Sequence, residues 1–123
     1  MYDALIMLGE DCDLTFDGLV ELLTKVNVGD ELTRSEERQS VVLRRGDSYV
    51  TFDWNEDEYV LVESLEIAES SGLPCRTATR RIETSGDDDS MELLSTWMVA
   101  VESLKERPGV VAYDPVEAVE WGT

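Results

Sequence analysis

The sequence predicts one α+β domain, with a mainly antiparallel sheet, helices on one face, and a ferredoxin-like (split β-α-β) order extended by a C-terminal helix and strand. Three observations predict it. The chain has 123 residues, which suits one ordinary core and leaves too little for two. Apolar residues alternate at strand period in some segments and recur at helical period in others. The elements then follow the order strand, helix, strand, strand, helix, strand, before a last helix and one or two strands.

Tyr2–Leu8 is a nearly continuous apolar run ended by Gly9, the pattern of a central strand covered on both faces. Residues 15–28 place Phe16, Leu19, Val20, Leu23 and Val26 near helical spacing, and Gly29-Asp30 ends that helix. Residues 31–39 are polar and mixed in charge, and read as a loop. Ser40–Arg45 and residues 48–54 read as a hairpin, because Gly46-Asp47 supplies a two-residue type II′ turn with glycine first. In its second strand Val50, Phe52 and Trp54 alternate with Thr51 and Asp53, so one face is apolar and the other wet.

Residues 55–71 read as a helix stopped by Gly72 and Pro74, and residues 77–84 as a strand of mixed polarity. The strongest helical pattern spans residues 89–106, where Leu94, Trp97, Met98, Val101 and Leu104 form an apolar stripe ended by Pro108-Gly109. Residues 109–113 form a short strand, Asp114-Pro115 a turn, and residues 117–121 a last edge strand. There is no internal repeat or linker, so residues 1–123 are read as one domain.

Charge is the outlier. Twenty-eight Asp and Glu against ten Lys and Arg give a formal net charge of −18. Such a surface repels nucleic acid and anionic lipid, so neither is an expected partner. No apolar run approaches the roughly 20 residues that span a bilayer. The N-terminus carries no basic leader and Asp3 interrupts its apolar stretch, which suggests a cytoplasmic protein. Two cysteines, Cys12 and Cys75, are too few for a disulfide framework and read as reduced thiols.

Two causes fit the acidity equally well. One is a basic protein partner. The other is concentrated salt: only Lys25 and Lys105 are lysine, and Val and Leu (14 each) far outnumber Ile (3), as in salt-adapted proteins. A GC-rich genome combined with an acidic function produces the same bias.

Histidine is absent, which removes Ser-His-Asp and Cys-His nucleophiles, His general bases and His-containing zinc sites. Cys75 and Arg81 have the C-x5-R spacing of cysteine phosphatases, in Cys75-Arg76-Thr77-Ala78-Thr79-Arg80-Arg81, but the loop lacks the glycine that lets backbone N–H groups wrap a phosphate. A buried thiol is the simpler reading. Cys12 lies among carboxylates, a poor setting for a nucleophile. Asp13-Leu14-Thr15-Phe16-Asp17-Gly18 resembles the first half of a calcium loop, but Thr24 stands where the closing bidentate Glu belongs. The run 53–57 and Asp87-Asp88-Asp89 are less complete still. All three clusters lie at expected helix starts, where carboxylates cap N–H groups; Asn55 with Glu58, and Asp89 with Glu92, have capping-box spacing. No metal and no cofactor are expected.

Of the three tryptophans, Trp97 reads as core, while Trp54 and Trp121 near strand ends are interface candidates. The basic residues gather at Arg34, Arg38, Arg44, Arg45 and at Arg76, Arg80, Arg81, and make no groove with interleaved aromatics. The expected function is therefore non-enzymatic: an acidic binding protein, of the inhibitor or immunity type, that engages a basic partner. Its expected contacts are Trp54, Glu56, Asp57, Glu58, Asp87, Asp88 and Asp89. The alternatives are a salt-adapted domain whose acid serves solvation and a small homo-oligomeric regulatory domain. A carboxylate enzyme, with or without a metal, ranks last.

Overall fold

The apolar run at the start of the sequence is an interior strand that serves two cores at once. In a computed structural model, which describes residues 2–122, β1 (Tyr2–Leu8) has hydrogen-bonded partners on both edges. Side chains alternate across a strand, so Ala4, Ile6 and Leu8 enter one core and Leu5 and Met7 the other. α1 (Phe16–Val26) follows, started by Thr15, whose Oγ1 accepts the Gly18 N–H at 3.1 Å. Next come β2 (Glu31–Ser35), β3 (Ser40–Arg45), β4 (Ser48–Asn55), α2 (Tyr59–Ser71) and β5 (Arg80–Asp87). α3 (Leu94–Lys105), β6 (Val110–Asp114) and β7 (Val119–Glu120) complete the chain.

All seven strands form one sheet in the order β2-β3-β4-β5-β1-β6-β7, antiparallel at every pairing. The larger core packs α1 and α3 against one face through Leu19, Leu23, Trp97, Val101 and Leu104, over Val41, Leu43, Val50, Phe52 and Ile82. The smaller core, of Met7, Ala68, Cys75, Ala78, Val111 and Tyr113, lies under α2 on the other face. The class is α+β, as the element pattern predicts.

Three expectations are corrected. The split β-α-β order would place β1 between β4 and β5. Instead β5 lies between β4 and β1. The helices also occupy both faces, not one. The reason is steric: α3 takes the place beside α1, so α2 covers the opposite face and returns the chain antiparallel beside β4. The expected loop at residues 31–39 contains β2, paired from Glu31↔Arg44 to Ser35↔Ser40. Its polar, charged sequence suits a sheet edge, where charge discourages pairing with another chain.

The hairpin agrees with expectation, with Gly46 at φ +60° as a type II′ turn requires and Arg45 opposite Ser48. Other boundaries move by a few residues; the fifth strand starts at Arg80 rather than residue 77, and α3 at Leu94 rather than residue 89.

Cys12 and Cys75 are both free and buried, one in each core, with the sheet between them. A thiol reagent should therefore label neither at a measurable rate in the native protein and both in urea, read by mass spectrometry. Fast native labelling would contradict this placement.

Candidate functional site

Pairing of β1 with β6, and packing of α3 behind them, bring together residues that are far apart in the chain. Tyr2, Trp97 and Trp121 form a connected aromatic wall. The Tyr2 and Trp97 rings are 4.7 Å apart and tilted by 46°, and Trp97 meets Trp121 edge-on at 5.9 Å and 80°. Opposite stands the turn between β6 and β7, where Asp114 Oδ1 accepts the N–H groups of Val116 (2.9 Å) and Glu117 (3.2 Å). With Asp3 these residues enclose an open hollow of about 460 Å³, lined by Tyr2, Asp3, Trp97, Asp114, Val116, Glu117 and Trp121.

Each ring is held from behind. Trp97 Nε1 donates to Thr84 Oγ1 at 2.9 Å, and that hydroxyl donates onward to the Thr51 carbonyl at 2.7 Å. Trp121 is fixed through its backbone, its N–H donating to the Ala112 carbonyl and its own carbonyl accepting from Lys105 Nζ at 3.1 Å. Tyr2 lies over Gly86, where an added Cβ would fall 2.1 Å from the ring, so only glycine admits it. The Tyr2 hydroxyl donates to Asp88 Oδ2 at 2.8 Å. Burial, reinforced by that hydrogen bond and the Asp88 charge, pushes the phenol pKa up and keeps it a neutral donor.

Asp88 is 1% exposed, yet ionised. Burial alone would raise its pKa, but hydrogen bonds from Ser48, the Leu93 N–H, Tyr2 and the Glu92 N–H outweigh burial and hold it below the usual carboxylate value. Its Oδ2 accepts the Leu93 N–H at 2.8 Å and its Oδ1 the Glu92 N–H at 3.0 Å, so it caps the turn that leads into α3.

The hollow differs in charge from the rest of the surface. Arg34 pairs with Asp17 and Glu36, Arg45 with Asp30, Arg81 with Glu63 and Glu83, and Lys105 with Glu120. Arg80 donates to the Leu14 and Cys12 carbonyls. These cations are thus engaged within the fold. Three other surface hollows include Lys or Arg in their walls: Lys25 and Arg34 in one, Arg81 in another, Lys25 and Arg107 in a third. The aromatic hollow has Asp3, Asp114 and Glu117 and no basic residue. Asp3 borders it from the strand edge, but alternation along β1 puts its side chain on the α2 face, opposite Tyr2, where Oδ1 is buried with no hydrogen-bond partner among the described residues.

Asp3 also borders the Arg81 hollow on the α2 side of the sheet, about 290 Å³ in volume, with Asp53 and Glu83. Partial burial and the facing Glu83 push the Asp53 carboxyl up, against the opposing pull of Arg38. Arg81 balances the charge in that hollow through both of its glutamates.

The expected contact residues do not form one face. Trp54 is 9% exposed and sits in the larger core, with the Arg80 guanidinium 5.9 Å from its ring. Glu56, Asp57 and Glu58 are exposed at the turn into α2, and Asp87 and Asp89 are exposed at the far end of β5. Asn55 pairs with Arg81 and Tyr49 with Asp87, so the two acidic groups lie roughly 20 Å apart, at opposite ends of the β4–β5 pair. Asp88 is internal and leaves the candidate surface.

Capping also differs from expectation. Asn55 Oδ1 accepts the Asp57 N–H at 2.9 Å in a local turn, and α3 depends on Asp88 rather than Asp89. Among the described residues no three Asp, Glu or Cys gather as a metal site, and the calcium-like run holds a helix start capped by Thr15. Cys75 is 2% exposed, its thiol pKa is raised by burial, and its Sγ donates to the Ser64 carbonyl, so the phosphatase-like spacing builds no thiolate.

Tyr2, Asp3, Asp114 and Glu117 escape local sequence reading. Their only signal is an aromatic at each end of the chain, Tyr2 and Trp121. No family model, curated protein or solved structure matches this chain.

Asp88→Ala removes the cap and leaves the buried Leu93 N–H unpaired, and should cost about 2–3 kcal/mol in urea unfolding at pH 7. The folded pKa of Asp88 lies below the unfolded one, so its stabilisation is complete above the usual carboxylate range and is lost as pH falls through the folded value. The gap between wild type and variant should therefore narrow in acid. An unchanged midpoint at pH 7 would remove Asp88 from this role.

Proposed function

We propose that the protein is a non-enzymatic acidic binding protein that engages the basic surface of a partner. An inhibitor or immunity-type protein, whose carboxylates take the place of phosphates on a nucleic-acid-binding partner, is the concrete form. The observation that carries this reading is the net charge of −18 together with the internal engagement of Arg34, Arg45, Arg80, Arg81 and Lys105. With those cations occupied by the fold, the outer surface presents carboxylate with little to neutralise it. Glu56, Asp57, Glu58, Asp87 and Asp89 serve to steer association from two ends of the sheet, a contribution to on-rate more than to final affinity.

The experiment is affinity capture from native lysate at low and at high salt. A basic protein retained at low salt and released as salt rises is the expected result, with an association rate that falls steeply with ionic strength. Retention of no basic protein at low salt would contradict the proposal.

A salt-adapted domain is the second reading, favoured by the scarcity of lysine, two of ten basic residues. Circular dichroism separates the two. Folding in dilute buffer supports the partner reading, and folding only in molar salt supports solvation as the cause of the acidity.

A further inference from the structure

The hollow beside the β6–β7 turn combines three features that point to one kind of ligand. Its wall is aromatic, Asp114 and Glu117 stand on its rim, and no basic side chain lines it among the described residues. Aromatic faces attract cations through their quadrupole, within about 6 Å of the ring centroid. This fold uses that attraction repeatedly: Arg34 stands over Phe16, Arg44 over Tyr49, Arg80 over Trp54, Arg81 over Tyr59 and Lys105 over Trp121. Phe52 and Tyr113 are buried. Trp97, 2% exposed, is buried as well, which leaves Tyr2 as the partly exposed ring of the hollow with no such internal cation among the described contacts. Lys105, over the Trp121 ring, is bound to the Trp121 carbonyl and faces Glu120 at 3.8 Å.

The site is also built in advance. Asp88 and Gly86 set Tyr2, Thr84 sets Trp97, the Ala112 carbonyl sets Trp121, and its own turn sets Asp114. Little ordering remains for a ligand to impose. About 460 Å³ lies within the range of small-ligand pockets and admits a side-chain head group.

We infer that this hollow receives the cationic end of an Arg or Lys side chain from the basic partner. The inference rests on the binding function proposed above and locates its anchor point. The cation stands against the partly exposed Tyr2 and Trp121 rings, and Asp114 and Glu117 close the rim. Val116, 77% exposed, forms an apolar lip for the side-chain stem.

The test titrates the protein at low salt, by tryptophan fluorescence, with N-acetyl-arginine amide and N-acetyl-lysine amide. N-acetyl-citrulline amide and N-acetyl-norleucine amide are the neutral controls, and tetramethylammonium stands for a small ammonium ligand. Saturable change with a cationic amide, and none with its neutral counterpart, is expected. Glu117→Gln, on an exposed turn, should weaken binding about threefold to tenfold, and Trp121→Leu roughly tenfold or more. Circular dichroism and urea unfolding check that both variants fold.

Equal response to charged and neutral amides, no saturable response, or tighter binding of tetramethylammonium than of either amide would overturn the inference. Capture of a basic partner by wild type and by both variants to the same extent would overturn this site and leave the proposed function standing. Capture of nothing basic by wild type would overturn both.

Discussion

The Asp88 carboxylate ties together segments that would otherwise meet only through apolar contact. It accepts from Tyr2 on β1, from Ser48 at the start of β4, and from the two N–H groups that open the turn into α3. A buried charge is costly unless it is hydrogen-bonded, and here Oδ1 accepts the Glu92 N–H and Oδ2 both the Leu93 N–H and the Tyr2 hydroxyl. Removing one partner therefore affects the sheet, the helix start and the aromatic wall together. The hollow depends on this contact, because Tyr2 has its orientation from Asp88 on one side and Gly86 on the other.

The wider charge pattern follows from the same economics of burial. A chain with 28 acidic residues and 10 basic ones has few cations to place. Several of them are engaged in fixing structure: Arg80 in closing the loop after β1, Arg81 in joining α2 to the sheet, Lys105 in holding the last strand. Carboxylates left outside then repel one another, a strain that salt or a cationic partner relieves. The aromatic hollow is where that excess meets a shaped surface. Elsewhere the acid is spread over turns, exposed helix faces and hollows that also hold Lys or Arg.

Local pattern explains what was legible. Period-two and period-3.6 spacing identified β1, the β3–β4 hairpin, α1 and the α3 stripe, and Gly46-Asp47 announced its turn. β2 was missed because an edge strand is exposed and polar, which is also what a loop looks like. The strand order was missed because it depends on which face each helix covers, a competition between α2 and α3 that no local window contains. The site divides the same way. Acidity at large was visible in the sequence, and so was the place of Trp121 near a strand end. Trp54 sits inside because its strand alternation turns it to the core, and Asp88 is buried while both of its neighbours are exposed. Residues 2, 3, 97, 114 and 117 converge only through the β1–β6 pairing, at sequence separations that periodicity does not reach.

The central claim is that a cationic side chain settles at one place on an acidic protein rather than anywhere on it. A two-dimensional amide NMR titration with N-acetyl-arginine amide at low salt addresses this most directly. The account predicts saturable shifts confined to residues 2–4, the neighbourhood of Trp97, and residues 112–121. Shifts spread over residues 56–58 and 87–89 in proportion to their charge, with no saturation around the hollow, would contradict it.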